Sequence, residues 1–214
     1  MSLAENIQNF QDEFIPTIPE ATLNTLMSEL QSLIASGIAE KSIKQGDTFP
    51  DFVLPNANNK PLQLDAFLKD GPLVISFYRG AWCPYCNLEI NALQKRLPDI
   101  TATGGQLVVI SPQTPDKSVD QVANSQLTFE VLSDIENKLA KECGLVFTLP
   151  ESLRPIYNAW QIDIPGHNGN DSFELPIPAT YIIDTKGKIR YVFADMDYTK
   201  RLEPDVIIEQ LKKL

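Results

Sequence analysis

Residues 77–90 read Phe-Tyr-Arg-Gly-Ala-Trp-Cys-Pro-Tyr-Cys-Asn-Leu-Glu-Ile, and this stretch decides the predicted fold. It begins at the end of an apolar, β-rich run that covers residues 74–78 and then passes through a glycine turn. A helix is predicted to begin at about Pro84, because proline is favoured at the first position of a helix. The stretch therefore predicts strand, turn and helix in that order, with Cys83 and Cys86 at the beginning of the helix.

This placement of the two cysteines favours thiol chemistry. The first N–H groups of a helix have no intrahelical partner and the helix dipole is positive there, so both stabilise a thiolate. The i, i+3 spacing brings the sulfurs of Cys83 and Cys86 close enough for a disulfide. Arg79 either adds a positive charge beside them or is a surface charge after the strand. Because the thiolate is the reactive form of cysteine, we predict a redox site at this pair.

The pattern of the remaining chain predicts an α/β fold. Five apolar, β-rich runs predict strands, at residues 74–78, 107–110, 129–132, 180–183 and 189–193. Runs of this kind are typical of strands that are buried on both faces. Helical patterns are found at residues 88–97, 134–143 and 204–214. The turn at residues 184–187 predicts an antiparallel hairpin between the last two strands, so we expect a central mixed β-sheet flanked by helices.

The N-terminal part of the chain has a separate pattern. Apolar residues recur at i, i+3, i+4 and i+7 between Leu23 and Ile34, which predicts an amphipathic helix that ends at Gly37. We therefore divide the chain into an N-terminal helical extension, residues 1–45, and one domain, residues 46–214. The apolar stripe of the extension is expected to cover either this domain or a second copy of the chain.

Composition narrows the classes of function. The net charge is −10, so nucleic acids and anionic membranes are poor partners, because binding them needs clustered lysine and arginine. No apolar run approaches a membrane span, and the N-terminus lacks the pattern of a secretory signal, which favours a cytoplasmic protein. No glycine-rich phosphate-binding turn is present, and we predict no cofactor.

Several other residues are interpreted as structural. Cys83, Cys86, Cys143 and His167 together match the ligand types of a zinc site. However, Cys143 ends a helical pattern, and His167 lies in a Gly-, Asn- and Pro-rich stretch, residues 162–175, that predicts a long surface loop. We therefore predict no metal site. We interpret two further residues as anchors of the last helix, Tyr198 and Arg201. We interpret three others as a solvated face, Asp195, Asp197 and Asp205.

Several segments resemble known families. The Trp-Cys-Pro-Tyr-Cys of residues 82–86 is similar to the Trp-Cys-x-x-Cys site of thioredoxins. The Gly-Asp-Thr-Phe-Pro-Asp-Phe-Val-Leu of residues 46–54 is similar to the opening of the alkyl hydroperoxide reductase/thiol-specific antioxidant family. Residues 197–204 resemble the end of its peroxiredoxin-like branch. The resemblance covers residues 45–214 and implies a thioredoxin-like fold.

The same resemblance implies an activity. It implies a peroxiredoxin-like antioxidant peroxidase that reduces hydrogen peroxide or organic hydroperoxides through a Cys83/Cys86 disulfide cycle. A thioredoxin-type donor would then reduce the disulfide by exchange. A homodimer also fits the resemblance. Two alternatives stay open, namely a general thiol–disulfide oxidoreductase that acts on protein disulfides and a non-catalytic redox sensor.

The two analogies assign the cysteines differently. On the family's Phe-Tyr-Pro-x-x-x-Thr-x-x-Cys motif, Cys86 takes the place of the peroxidatic cysteine, Cys83 that of the threonine and Arg79 that of the proline. On the thioredoxin motif, Cys83 attacks and Cys86 resolves, and Pro178 matches the cis-proline that faces the thioredoxin disulfide. Both assignments end in a Cys83–Cys86 disulfide. The supporting residues that we predict around the pair are Arg79, Trp82, Pro84, Tyr85 and Pro178.

Overall fold

A five-stranded sheet organises the chain, and the computed structural model describes residues 1–214. The strands are β1 Val53–Pro55, β2 Pro61–Gln63, β3 Leu73–Phe77, β4 Gln106–Ser111, β5 Glu130–Ser133, β6 Val146–Thr148, β7 Glu174–Pro176, β8 Ala179–Ile183 and β9 Ile189–Ala194. The helices are α1 Leu3–Phe14, α2 Glu20–Ala35, α3 Ile38–Lys41, α4 Leu64–Asp70, α5 Pro84–Ala102, α6 Pro115–Asn124, α7 Lys138–Glu142, α8 Arg154–Ala159, α9 Ile164–Asn168 and α10 Pro204–Leu211. Short 3-10 helices lie at Ile15–Thr17, Ile135–Asn137 and Glu151–Leu153. None of the helices has the length and apolar character that a bilayer span requires.

The central sheet has the strand order β5-β4-β3-β8-β9. β3 pairs in parallel with β4, and β4 with β5, whereas β8 is antiparallel to both β3 and β9. Asp184 closes the β8–β9 hairpin, because its carboxylate accepts the backbone N–H groups of Lys186 and Lys188. The predicted mixed α/β sheet and its antiparallel end are therefore confirmed.

The sheet separates two apolar cores. Alternate residues of β3 point to opposite faces, so Val74 packs beneath α5 whereas Ile75 and Phe77 pack on the other side. All five residues of β3 are buried, as the near-continuous apolar run predicts. The cysteine-bearing end of α5 belongs to the first core, and Cys143 belongs to the second. The sheet thus places Cys143 on the opposite side from the cysteine pair.

The first helix of the N-terminal segment, α1, packs on the α5 side of the sheet, whereas Leu33 and Ile38 pack against the core on the other side. A capping box of Ser2 and Glu5 begins α1. The Glu203 carboxylate accepts hydrogen bonds from the backbone N–H groups of the two residues between them, Leu3 and Ala4. Leu3 and Ile7 are buried in the first core. α2 follows the predicted amphipathic pattern, and Gly37 beyond its end has a positive φ of 65°. None of the residues of α2 is fully buried, although Leu26 packs against the small apolar cluster around Tyr157 and Leu33 against the second core.

The predicted surface loop at residues 162–175 is wrong in part. The stretch contains α9 and the first residues of β7, and Ile164 and Leu175 are buried in a small apolar cluster with Tyr157. Its polar residues form caps rather than a free loop, since the Asp163 carboxylate accepts the backbone N–H of Gly166 at the beginning of α9. Two buried apolar residues are enough to hold this polar stretch on the core.

The cis bond predicted before Pro178 is also wrong, because the chain contains no cis peptide bond. β7 ends at Pro176 and β8 begins at Ala179, so a trans bond keeps the chain extended between the two strands. The backbone N–H of Ile177 donates to the carbonyl of Leu145 at 2.8 Å, which continues the β6–β7 pairing up to Pro178. The peptide bond before Pro178 is therefore trans because the chain runs extended between β7 and β8.

Candidate active site

Cys83 and Cys86 lie where β3 passes into α5. Cys83 is the N-cap residue of α5, Pro84 occupies the first turn and Cys86 follows within that turn. The connection requires a glycine, because Gly80 has a φ of +149° and a Cβ there would lie 2.4 Å from Nε1 of Trp82. The predicted strand, turn and helix are confirmed, and the backbone N–H of Cys86 in the first turn of the helix is hydrogen-bonded to the sulfur of Cys83.

Arg79 is a buried residue of the site and not a surface charge. Only 2% of it is exposed, and its Nη1 lies 4.0 Å from Sγ of Cys83. Its Nη2 donates to the hydroxyl of Tyr157. The guanidinium carbon lies 4.9 Å from the ring centre of Trp82 and 4.5 Å from that of Tyr198. Aromatic rings and one hydroxyl therefore hold this cation on the Cys83 sulfur.

A second cation reaches the other cysteine from the C-terminal part of the chain. Nη2 of Arg201 lies 3.3 Å from Sγ of Cys86, and its Nε lies 2.7 Å from a carboxylate oxygen of Glu89. Ser76 on β3 donates its hydroxyl to the other oxygen of Glu89 at 3.2 Å. The interpretation of Arg201 as only a helix anchor is therefore incomplete, because its side chain is 1% exposed and touches the redox pair.

The surroundings separate the acidities of the two thiols. Burial opposes ionisation of Cys83, but the hydrogen bond from the Cys86 thiol and the charges of Arg79 and Arg201 outweigh it and lower the pKa of Cys83 to about 5. Burial raises the pKa of Cys86 well above its ordinary value, and the neighbouring Cys83 thiolate raises it further. At neutral pH the pair therefore holds one thiolate, on Cys83, and one thiol, on Cys86.

Only one of the two cysteines lines a cavity. Cys83 lines a cavity of about 700 Å³ together with Arg79, Trp82, Pro84 and Tyr85, whereas Cys86 does not line it. We call this space the apolar cavity, because most of its lining residues are hydrophobic. Four of the five predicted supporting residues therefore line the apolar cavity together with Cys83. The fifth, Pro178, is buried between β7 and β8 and is not among the cavity residues.

The other residues considered as zinc ligands are not brought to the pair. Cys143 is fully buried in the second core, where burial raises the pKa of its thiol. His167 is half-buried on α9, and burial lowers the pKa of its imidazole. No three His, Cys, Asp or Glu side chains lie in positions that could hold a metal ion. Asp205 instead pairs with Arg96 on the surface.

Four site residues were missed or undervalued by the sequence analysis, namely Glu89, Tyr157, Tyr198 and Arg201. Glu89 carried a usable signal, since a carboxylate three residues after Cys86 lies one turn along the same helix. The two tyrosines and Arg201 come from α8 and from the segment before α10, far from the cysteines in sequence. No local spacing could have linked them to the pair.

Removing Arg201 is expected to destabilise the protein strongly. Arg201→Met would leave the Glu89 carboxyl buried without its cation, and loss of one partner of a buried ion pair costs up to about 3–5 kcal/mol. Burial already raises the pKa of Glu89 to about 7, so the carboxyl is expected to take up a proton in the variant, which lowers this cost. The matched control is Arg96→Met, because Arg96 pairs with Asp99 and Asp205 at the surface and such exposed pairs contribute about 0–1 kcal/mol. Urea unfolding with an unchanged m-value measures both changes. Equal losses in the two variants would contradict this account of the buried pair.

Comparison with known proteins agrees with the site and the fold. The model of the AhpC/TSA family matches residues 45–192, which is more than half of the chain. Among similar proteins is the chloroplastic peroxiredoxin Q of Populus jackii, which is 26% identical over 172 residues, covering 80% of this chain and 68% of that protein. Peroxiredoxin Bcp of Escherichia coli is 24% identical over 172 residues, covering 80% of this chain and 97% of the relative.

Solved structures place the fold among the peroxiredoxins. The crystal structure of the peroxidoxin BcpB from Mycobacterium tuberculosis superimposes with a TM-score of 0.64 at 24% identity, covering 80% of this chain and 98% of that one. This likeness confirms the thioredoxin-like fold that the motifs predict. The matched region includes the strand, the turn and the cysteine-bearing helix described above. The chain therefore belongs to the AhpC/TSA family.

Proposed function

We propose that the protein is a thiol-dependent peroxidase in which Cys83 attacks the hydroperoxide and Cys86 resolves the intermediate. Family membership and the peroxiredoxins among its relatives support the peroxidase activity. One observation supports the order of the two thiols. Cys83 lines the cavity and has the lowered pKa, whereas Cys86 lies behind it with a raised pKa. A nucleophile must be ionised and within reach of the substrate, and Cys83, although only 1% exposed, lines the cavity whereas Cys86 does not.

The first step is attack of the Cys83 thiolate on the terminal oxygen of the hydroperoxide. A sulfur–oxygen bond forms and the oxygen–oxygen bond breaks, so that the cysteine is oxidised to a sulfenic acid and the hydroperoxide is reduced. The leaving alkoxide takes up a proton and departs as an alcohol, or as water when the substrate is hydrogen peroxide. Arg79 is placed to stabilise the negative charge that moves from sulfur to the leaving oxygen.

The second step closes the disulfide. The sulfur of Cys86 attacks the sulfenic sulfur of Cys83, and water leaves. The first step removes the negative charge on Cys83 that raises the pKa of Cys86, so ionisation of Cys86 becomes easier when it is needed. Arg201 lies 3.3 Å from Sγ of Cys86 and stabilises its thiolate. An external dithiol of the thioredoxin type then reduces the disulfide by exchange and is itself oxidised.

A coupled assay tests this function. Thioredoxin, its reductase and NADPH are mixed with the protein and a hydroperoxide, and NADPH oxidation is followed. We expect turnover that saturates in hydroperoxide and exceeds the rate of free dithiol. Reduction of insulin disulfides, measured with the same donor, addresses the alternative of a general disulfide oxidoreductase. Insulin reduction without hydroperoxide turnover would replace the proposal by that alternative, and inactivity in both assays would favour a redox sensor.

The pH dependence of the first turnover follows from the lowered pKa of Cys83. The reactive form is the deprotonated one, so the rate is expected to be constant above about pH 6 and to fall about tenfold per pH unit below about pH 5. Rapid mixing of the reduced protein with hydroperoxide, followed by tryptophan fluorescence, measures this rate because Trp82 adjoins Cys83. A rate that keeps rising between about pH 7 and pH 9 would instead assign the attack to a thiol of ordinary or raised pKa.

Three broader predictions accompany this function. We propose that residues 1–45 form an extension to one domain over residues 46–214, that the protein acts in the cytoplasm and that it forms a homodimer. Light scattering during size-exclusion chromatography measures the last of these. A single species of 23.9 kDa at micromolar concentration would contradict the homodimer.

A further inference from the structure

The apolar cavity is built largely by the N-terminal helices. Its walls include Phe10 and Phe14 of α1 and Leu23, Leu26 and Met27 of α2, and these residues face Trp160 and Tyr85 across the space. The cavity borders part of the apolar stripe of α2, which explains why Leu23 and Met27 are not fully buried, whereas Leu26 also packs against the small cluster around Tyr157. All five wall residues from α1 and α2 precede residue 45, where the match to the family begins. The cavity is therefore a feature that this chain adds to the family domain.

One polar group suited to a peroxide lies beside Cys83. Nη1 of the buried Arg79 guanidinium is 4.0 Å from Sγ of Cys83, and Arg79 lines the cavity. Arg79 is the only cation among the lining residues, and its Nη2 is already held by Tyr157. The other charged lining residues are Asp12 and Asp197, which disfavour an anionic ligand. The cavity thus combines apolar walls with one guanidinium at the reacting sulfur.

We propose that the preferred substrate is a hydroperoxide with a neutral apolar chain, whose chain lies between α1 and α2 while its peroxide group reaches Cys83. A volume of about 700 Å³ greatly exceeds what hydrogen peroxide needs and lies in the range of sites for larger organic ligands. Burial of the chain removes apolar surface from water, and this binding energy favours a long-chain substrate over a small one. The product is the corresponding alcohol, formed by the chemistry described above. This inference rests on the proposed peroxidase function.

Two variants of one helix test the inference by kinetics. Met27 lines the cavity and is 47% exposed, whereas Ile34 on the same helix is 48% exposed and does not line it. The substrates are hydrogen peroxide and the hydroperoxide of methyl linoleate, a neutral ester. In the wild type we expect a kcat/KM at least about tenfold higher for the ester. Met27→Gln, alone or with Leu26→Gln, is expected to lower kcat/KM for the ester about tenfold while leaving that for hydrogen peroxide within about twofold.

Ile34→Gln is the matched control and is expected to change neither value. Equal kcat/KM for both substrates in the wild type, or equal effects of Met27→Gln and Ile34→Gln, would overturn the inference. A loss for both substrates in Met27→Gln would also overturn it, because the helix would then affect the site without selecting the chain. Retained thermal unfolding temperatures in all variants show that folding is unaffected.

A binding measurement separates this inference from the proposed function. The protein contains two tryptophans, Trp82 and Trp160, and both line the apolar cavity, so intrinsic fluorescence reports its occupancy. Cys83→Ser is titrated with methyl hydroxyoctadecadienoate, the alcohol product, which cannot react. Saturable quenching that Met27→Gln weakens and Ile34→Gln does not would support the chain site even if no hydroperoxide is turned over. Absence of quenching would overturn it, as would a signal that depends on protein concentration alone, since a second copy would then fill the cavity.

Discussion

Cys83→Ser is expected to lower kcat/KM for hydroperoxide by at least about 10³-fold, because it removes the ionised thiol of the pair, and only Cys83 of the two lines the cavity. A serine hydroxyl at this position stays protonated at neutral pH, and it does not form a sulfenic acid. The variant preserves the size of the side chain at the beginning of α5, so loss of the thiol is the main change. Cys143→Ala is the matched control, since this third cysteine is buried in the core on the other side of the sheet and should leave turnover unchanged.

Cys86→Ser distinguishes the two assignments of the attacking thiol. This variant should still consume one equivalent of hydroperoxide, and Cys83 should then carry a sulfenic acid that no resolving thiol removes. Trapping with dimedone followed by peptide mass spectrometry locates the modified cysteine. Rapid formation of a sulfenic acid on Cys86 in the Cys83→Ser variant would reverse the assignment. The alignment with the family motif would then describe this protein better than the cavity does.

Arg79→Met is expected to have the second largest effect. Loss of the buried cation beside Cys83 should raise the pKa of that thiol toward its ordinary value, although the hydrogen bond from Cys86 and the charge of Arg201 still lower it. We therefore expect a smaller ionised fraction of Cys83 and a first-turnover rate at pH 7 that falls by about tenfold or more. Methionine retains most of the apolar stem that packs between Trp82 and Tyr198. The substitution therefore removes the charge of Arg79 and keeps most of its packing.

The pH profile shows whether Arg79 acts through its charge. Because the thiolate is the reactive form, the rate of Arg79→Met should rise between about pH 7 and pH 8.5, where the wild type is flat. Arg154→Met is the matched control, since Arg154 stacks 4.1 Å from the ring centre of Phe173 and does not line the apolar cavity. A loss of rate in Arg79→Met that is the same at every pH would contradict the electrostatic role and indicate a positioning role instead.

Much of the fold was predictable because its signals are local. The apolar runs at β3, β4, β5, β8 and β9 mark buried strands, and all five are present in the central sheet. The helical pattern at residues 134–143 contains a 3-10 turn and α7, and Gly144 just beyond it has a φ of 71°. The two separate two-stranded sheets, β1 with β2 and β6 with β7, were missed, since three-residue strands next to prolines carry little periodicity. The stretch at 162–175 was misjudged because two buried apolar residues were outweighed by many polar ones.

By itself the sequence determined the chemistry of this protein. The Trp-Cys-Pro-Tyr-Cys motif after a strand specifies two thiols at the beginning of a helix, because strand, turn and helix start are encoded by neighbouring residues. The tertiary structure decided which of the two cysteines lines the cavity, which cations lie beside their sulfurs and what shape the site has. Arg201, Tyr157 and the walls from α1 and α2 reach the cysteines only through long-range packing. Contacts between residues far apart in sequence depend on how elements pack around the sheet, and no local pattern carries that information.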